Sequence, residues 1–168
     1  AKSNEKKLNV LPRSCQFFTS KPWMSPNKSL KYKYPCISST TKNGPKIYWS
    51  SDKNPKVKNP IPLFGVKKVI FGDSGINNVI IDTKGIYGVT EHGIAIKIKN
   101  DKEGILLKKA LESNKFSEYI KAMTFSQFQL SWQIFSYFKH DFYKDILSKS
   151  IKTRRRARGA LRVKTQKN

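Results

Sequence analysis

The sequence is poor in acidic residues, cysteine and histidine, and it has no long apolar run. Asp and Glu number 11 against 34 Lys and Arg, which leaves a net charge of +23. Two cysteines (Cys15, Cys36) and two histidines (His92, His140) are too few and too far apart for a zinc site, and nothing else favours a disulfide. No apolar run approaches the ~18 residues that a membrane span needs, and no signal peptide is visible. We therefore expect a chain that is not secreted, has no membrane span and uses no metal or other cofactor.

The positive charge is concentrated in the two flanks of the chain. Residues 1–62 hold 13 basic and 2 acidic residues, residues 63–145 hold 12 and 9, and residues 146–168 hold 9 and none. Repulsion among so many positive charges destabilises a compact state unless a partner neutralises them. Each phosphate contact releases counterions, so a basic arm binds nucleic acid strongly without reading its sequence. The predicted partners are the phosphate backbone of nucleic acid, acidic protein neighbours, or both, with no small-molecule substrate.

Proline is missing after Pro62, and all eight prolines lie within residues 1–62. Because proline fixes φ and removes a hydrogen-bond donor, this region is not expected to hold long helices or central strands. We interpret residues 1–45 as an extended arm. Its aromatic residues indicate anchors that dock on the chain's own core or on a partner, and the Lys31–Tyr34 stretch offers rings on which exposed bases could stack. These anchors, with two just beyond the arm, are Phe17, Phe18, Trp23, Tyr32, Tyr34, Tyr48 and Trp49.

The middle of the chain has the pattern of an α+β core over residues 46–147. Glycine-punctuated apolar runs predict short strands, and a change to helical periodicity predicts two or three helices after them. The predicted strands are Lys46–Ser50, Val66–Phe71, Asn78–Asp82, Ile86–Thr90 and Gly93–Lys99. The predicted helices are one capped by Asp101 and running to Ser113, one over Lys115–Met123, and one over Lys139–Leu147. The expected class is thus α+β, a short-stranded β region followed by helices, with an extended basic N-terminal arm and a C-terminal tail over residues 148–168.

A search for catalytic residues finds no constellation that stands out. The stretch from Gly72 to Gly75 lacks the spacing of a phosphate-binding loop and is interpreted as a hairpin turn. His92 lies in a predicted turn, and His140 precedes Asp141 at a helix start, where capping is the simpler role. A nuclease-like cluster of Asp73, Asp82 and Glu91 is a minor alternative, since no spacing favours it. We expect no enzymatic activity.

The tail contains five of the six arginines of the chain and no acidic residue. Arginine suits bidentate phosphate contact better than lysine does. We predict that the tail binds phosphate, with a solvated or protein-bound tail as the alternative. The predicted phosphate-binding residues of the tail are Arg154, Arg155, Arg156, Arg158, Arg162 and Lys164.

Four stretches of the core carry a resemblance to a known family. They are residues 62–72 (PLFGVKKVIFG), 78–82 (NVIID), 85–90 (GIYGVT) and 107–116 (LKKALESNKF). This region, about residues 60–145, resembles the target-recognition domain of adenine-specific DNA methyltransferases, especially the versions of giant DNA viruses. In that family the domain reads DNA, and a separate domain carries an Asn/Asp-Pro-Pro-Tyr/Phe motif that is missing from this sequence. The resemblance implies a DNA-binding surface without the methyl transfer, and residues near its turns would then face the groove: Lys67, Lys68, Lys84 and Tyr87.

Three functions fit these observations. The leading hypothesis is a non-catalytic basic structural component of a large nucleoprotein assembly, such as a minor capsid protein in the virion of a large DNA virus or another intracellular particle. The first alternative is a sequence-reading DNA-binding module of a methyltransferase or restriction system. The second alternative is a ribosomal or other RNA-binding protein, because such proteins carry similar basic tails.

Overall fold

The computed structural model describes residues 6–123 and 130–148. Its strands form two four-stranded sheets, and its α-helices follow the strands in the chain, so the predicted α+β class is confirmed. The strands are β1 (Val10–Leu11), β2 (Met24–Ser25), β3 (Tyr34–Thr41), β4 (Gly44–Ser50), β5 (Lys68–Gly72), β6 (Gly75–Asp82), β7 (Gly88–Val89) and β8 (Gly93–Lys97). The helices are a 3-10 turn (Cys15–Phe17), α1 (Asp101–Leu111), α2 (Asn114–Met123), α3 (Trp132–Phe135) and α4, over residues 142–148.

The first sheet has the order β1-β8-β5-β6, and all its neighbouring strands are antiparallel. Every residue of β5 is buried, because one face of the sheet carries the helices and the other meets the second sheet. Val69 and Phe71 pack with the helical cluster, whereas Ile70 packs with the second cluster beside Ile37. This double burial explains why the predicted strands around Val66–Phe71 and Asn78–Asp82 are apolar on both faces.

The helices cover the first sheet through a cluster of aromatic rings. Phe71 of the sheet meets Phe135 edge to face at 5.0 Å, and Phe116 and Phe142 continue the contact at 5.3 Å. The side chain of Asn100 accepts a hydrogen bond from the N–H of Glu103, so Asn100 caps α1. The prediction that Asp101 is this cap is wrong by one residue: Asp101 lies in the first turn, where its charge favours the helix N-terminus.

The second sheet has the order β2-β4-β3-β7, with β3 and β7 parallel. It corrects the prediction that prolines keep central strands out of this part of the chain. Pro35 and Pro45 are each the second residue of a central strand. At Pro35 the pairing with β7 has not begun, and at Pro45 β2 has ended, so each proline has a paired neighbour on one side only. A proline that lacks its N–H is tolerated at such positions.

The extended arm predicted for residues 1–45 is wrong for the part that the structure describes. The N-terminal segment lies on the first sheet through β1, and Lys7 bridges to Lys139. Phe17 is fully buried, and Trp23 packs against the same cluster, so these anchors dock on the chain's own core. The core therefore begins near residue 6 rather than at residue 46. Among the described residues, no helix has the length and apolar character to cross a membrane.

Candidate nucleic-acid interface

A cluster of rings and lysines lies on one face of the second sheet. Tyr34 pairs with Ser50, and Cys36 pairs with Tyr48, so the register places Tyr34 and Tyr48 on the same face. The ring of Phe64 lies 6.3 Å from that of Tyr34, nearly at right angles to it. We call this group, with the lysines that cover its rings, the lysine–aromatic surface: Lys33, Tyr34, Lys46, Tyr48, Lys53 and Phe64.

Each lysine of this surface holds its ammonium group above a ring. The Nζ of Lys33 is 5.3 Å from the centre of the Tyr34 ring, and that of Lys46 is 5.7 Å from Tyr48. Lys53 lies 5.2 Å from Tyr34 and 6.0 Å from Phe64, so it bridges two rings. Cation–π contact of this kind restricts the long lysine side chains without neutralising them. The surface thus offers three positive charges whose positions are already limited before any partner binds.

The rings rest on a closely packed layer. Phe64 meets the buried Phe17 edge to face at 5.5 Å. A Cβ atom at Gly88 would lie 2.6 Å from the sulfur of Cys36 and 2.9 Å from the Phe64 ring, so only glycine allows β7 to approach here. Burial raises the pKa of the Cys36 thiol to about 12, and the thiol is therefore neutral at physiological pH. The rings of the surface are therefore backed by buried, closely packed side chains.

Two of the predicted groove-facing residues are exposed beside this surface. Lys67 and Lys84 flank a crossing of two loops, where the N–H of Gly65 donates to the carbonyl oxygen of Gly85 at 2.8 Å. Gly85 has a φ of +66°, and a Cβ atom there would lie 2.6 Å from the backbone of Gly65. The crossing therefore requires glycine and places the two lysines near Phe64. Tyr87 is half-buried and packs against the second core cluster.

Lys68 does not face the solvent, and its predicted role as a groove contact is wrong. Its side chain is fully buried, and its Nζ lies 2.7 Å from a carboxylate oxygen of Asp82. It also donates to the carbonyl oxygens of Leu63 and Val66. Burial is the larger influence and lowers the pKa of Lys68, while the hydrogen bond and charge of Asp82 act to raise it. An ammonium held in this way cannot reach a phosphate.

Asp82 completes this buried arrangement on the opposite loop. Its two carboxylate oxygens accept hydrogen bonds from the N–H groups of Ile86 and Tyr87, at 2.9 Å and 3.1 Å. The Lys68–Asp82 pair thereby joins the loop over residues 63–66 to the loop over residues 83–87. The exposed Lys67 and Lys84 lie next to these two linked loops.

The acidic residues considered for a nuclease site are separated by their own partners. Asp73 lies 3.6 Å from Arg13 and 3.4 Å from His92, whereas Glu91 accepts hydrogen bonds from Thr19. Asp82 is held by Lys68. Within residues 6–123 and 130–148, no three His, Cys, Asp or Glu side chains are grouped closely enough to hold a metal ion.

A second basic feature lies between the start of α1 and α4. It is a cleft of about 770 Å³ whose lining includes Lys6, Lys99, Lys102, Lys139 and Lys144. Carboxylates share this cleft: Asp141 lies 3.4 Å from Lys144, and Glu103 lies 3.4 Å from His140. The charges of the cleft are thus of both signs, whereas the three lysines of the lysine–aromatic surface cover rings.

The predicted tail residues Arg154, Arg155, Arg156, Arg158, Arg162 and Lys164 lie outside the described residues. The described part nevertheless keeps a large excess of charge, with 24 Lys and Arg against 10 Asp and Glu. Lys33 and Tyr34 lie in the stretch predicted to offer rings to exposed bases, but no member of the lysine–aromatic surface was among the predicted phosphate-binding or groove-facing residues. The signal that could have found them is the spacing of lysine next to, or two residues from, an aromatic residue in Lys33-Tyr34 and Lys46–Tyr48.

The chain matches no known protein-family profile, no curated protein and no solved structure.

Proposed function

We propose that this protein is a non-catalytic component of a nucleoprotein assembly that binds the phosphate backbone of nucleic acid. The observation that carries the proposal is the lysine–aromatic surface, where three lysines share one face of a sheet. Lysines interleaved with rings suit a polyanion that also presents flat bases. The arginine-rich tail would add phosphate contacts from the other end of the chain.

The environment of the described titratable residues supports a role without catalysis. Asp73, Asp82 and Glu91 each have a separate partner, and the Cys36 thiol is buried. A nucleophile or general base needs access to a substrate and a neighbour that activates it. Incubation with DNA and a labelled methyl donor is therefore expected to give no methylated product, and turnover would contradict the proposal.

A virion or another densely packed nucleoprotein particle is the setting we propose for this component. The resemblance of residues 60–145 to recognition domains of giant DNA viruses supports it, as does the charge of +23, which a polyanion-rich particle would neutralise. Acidic protein neighbours could take the place of some phosphates in such a particle.

The test is the salt dependence of binding to a nucleic acid duplex. The triple variant Lys33→Gln, Lys46→Gln, Lys53→Gln should make the plot of log K against log salt concentration shallower by about 2–3, since each phosphate contact contributes about 0.9 to the slope. The matched control replaces three exposed lysines outside both the lysine–aromatic surface and the cleft, Lys97, Lys109 and Lys121, by Gln. Equal slopes for the two triple variants would show that the lysine–aromatic surface is not the interface.

A sequence-reading DNA module is the second candidate, and one observation favours it. Lys67 and Lys84 are exposed on loops that a buried ion pair holds in place. Side chains that read base edges need such fixed positions. A sequence-reading module would bind one duplex sequence with an affinity about 10³-fold or more above its affinity for other sequences. A structural component would bind duplexes of different sequence with similar affinity, so competition among random duplexes separates the two functions.

A further inference from the structure

One loop of the second sheet presents an apolar side chain that projects away from the rest of the described chain. Leu30 is 99% exposed, more than any other large apolar residue described. An exposed leucine alone is unremarkable, because much of any protein surface is apolar. The position of Leu30 in an ordered, charged loop is what distinguishes it.

The loop is fixed at both sides of Leu30. The N–H of Ser29 donates to the carbonyl oxygen of Tyr32 at 3.0 Å, and the Ser29 hydroxyl accepts the N–H of Tyr32 at 3.1 Å. The N–H of Lys33 donates to the carbonyl oxygen of Ser50 in β4, and the Tyr32 hydroxyl donates to that of Pro22. Leu30 therefore projects from a small loop that is closed by hydrogen bonds and is hydrogen-bonded to the sheet.

Three exposed lysines surround Leu30 in the chain, and each is held over a ring. The Nζ of Lys28 is 5.0 Å from the Trp49 ring, that of Lys31 is 5.3 Å from Tyr32, and that of Lys33 belongs to the lysine–aromatic surface. Positive charge therefore lies on both sides of the apolar tip. The whole loop, over residues 26–33, carries no acidic residue.

We infer that Leu30 is a wedge that inserts between two base pairs of a duplex while Lys28, Lys31 and Lys33 contact the flanking phosphates. Proteins that kink nucleic acid insert apolar side chains of this kind from basic surfaces. The inference rests on the proposed function and adds a mode of binding to it. An anionic membrane is less favoured, because a single leucine buries little apolar surface in a bilayer, whereas a base step needs only one wedge.

The experiment compares the full-length protein with Leu30→Ala and Ile105→Ala on a 20-base-pair duplex. Ile105 is the matched control, since it is 47% exposed on α1, which packs on the first sheet. The probe duplex carries 2-aminopurine at a central TA step, which unstacks easily. Leu30→Ala should weaken duplex binding by at least about fivefold and abolish the rise in 2-aminopurine fluorescence, because an alanine side chain is too short to separate the bases. Leu30→Met should retain both, and Ile105→Ala should behave as the wild type.

Each other outcome has a definite meaning. If Leu30→Ala binds the duplex as tightly as the wild type and gives the same rise in fluorescence, the wedge is overturned and the proposed function stands. Binding of single strands but not of the duplex does the same. Leu30-dependent binding to phosphatidylserine vesicles without binding to the duplex assigns the loop to a membrane and overturns the wedge. Failure of the wild type to bind any nucleic acid at low salt overturns the proposed function itself.

Discussion

At the scale of single residues, Cys15 and Cys36 have different environments although they are chemically alike. Cys15 is half-buried, whereas Cys36 is fully buried in β3 beneath Gly88 and Phe64. Burial disfavours the thiolate, and this raises the pKa of Cys36 to about 12 from an ordinary 9.0. In the native protein at pH 8, a thiol reagent is therefore expected to modify Cys15 and to leave Cys36 unmodified.

The raised pKa of Cys36 also predicts a dependence of stability on pH. The unfolded chain releases the thiol proton near pH 9 and the folded chain only near pH 12, so the folded state holds more protons between these values. The contribution of Cys36 to the free energy of unfolding is fully present below pH 9 and falls by about 1.4 kcal/mol per pH unit above it. Urea unfolding at pH 8, 9, 10 and 10.5 measures this fall.

The comparison for this prediction is Cys36→Ala, which lacks the titrating group. The difference in unfolding free energy between the wild type and Cys36→Ala should be constant up to pH 9 and should shrink from there to pH 10.5. A difference that stays constant over the whole range would mean that the thiol is not protected by the fold.

At the scale of elements, the buried pair of Lys68 and Asp82 joins two loops to the first sheet. Lys68→Met should lower the free energy of unfolding by about 3–5 kcal/mol, because it leaves a buried carboxylate without its countercharge. The carbonyl oxygens of Leu63 and Val66 lose their donor as well. Chemical denaturation gives the measurement.

The neighbouring residue supplies a control for the Lys68 substitution. Lys67→Met makes the same chemical change one position away on the exposed side, so the free energy of unfolding should change by no more than about 0.5 kcal/mol. If both variants unfold at the same denaturant concentration, the Lys68–Asp82 pair does not stabilise the fold.

These two adjacent lysines show where sequence reasoning stops. In a strand with one solvent-exposed face, the alternation of apolar and polar residues would show which of Lys67 and Lys68 points inward. Here Val69, Ile70 and Phe71 are all buried, so the sequence shows no alternation from which to tell the two lysines apart. The strands with β-branched runs were predicted in the right places, since their burial follows from their own residues, but the predicted strand Ile86–Thr90 is a strand only over Gly88–Val89. The strand Tyr34–Thr41 was missed because Pro35 and its polar residues argue against a strand, and its burial comes from packing between the sheets.

At the scale of the whole molecule, positive charge is divided between the described residues and the last 20 residues of the sequence. The described part carries a net +14 and the last 20 residues carry +9. If both contact phosphates, they contribute separately to the salt dependence of binding, since counterion release adds over contacts. The two contributions can therefore be measured separately, by substitutions in one part of the chain at a time.

The tail prediction uses Arg154→Gln, Arg155→Gln, Arg156→Gln and Arg158→Gln together in the full chain. The salt slope of duplex binding should become shallower by about 3–4, because each arginine–phosphate pair contributes about 0.9 to it. The thermal midpoint should stay unchanged, because the substitutions remove no apolar side chain and the last 20 residues of the sequence contain no acidic partner for these arginines. An unaltered slope would assign the tail to a protein neighbour or to solvent instead of nucleic acid.

The pairing of β1 with β8 has a consequence for how the protein is made. Val10 lies opposite Ile96, so a nascent chain cannot complete the first sheet until some 86 further residues have been translated. At ~5–20 residues per second, the ribosome takes roughly 4 to 17 seconds to supply them. During that interval the segment around β1 has its apolar side chains unburied, and repulsion between the lysines of neighbouring nascent chains is expected to disfavour their association.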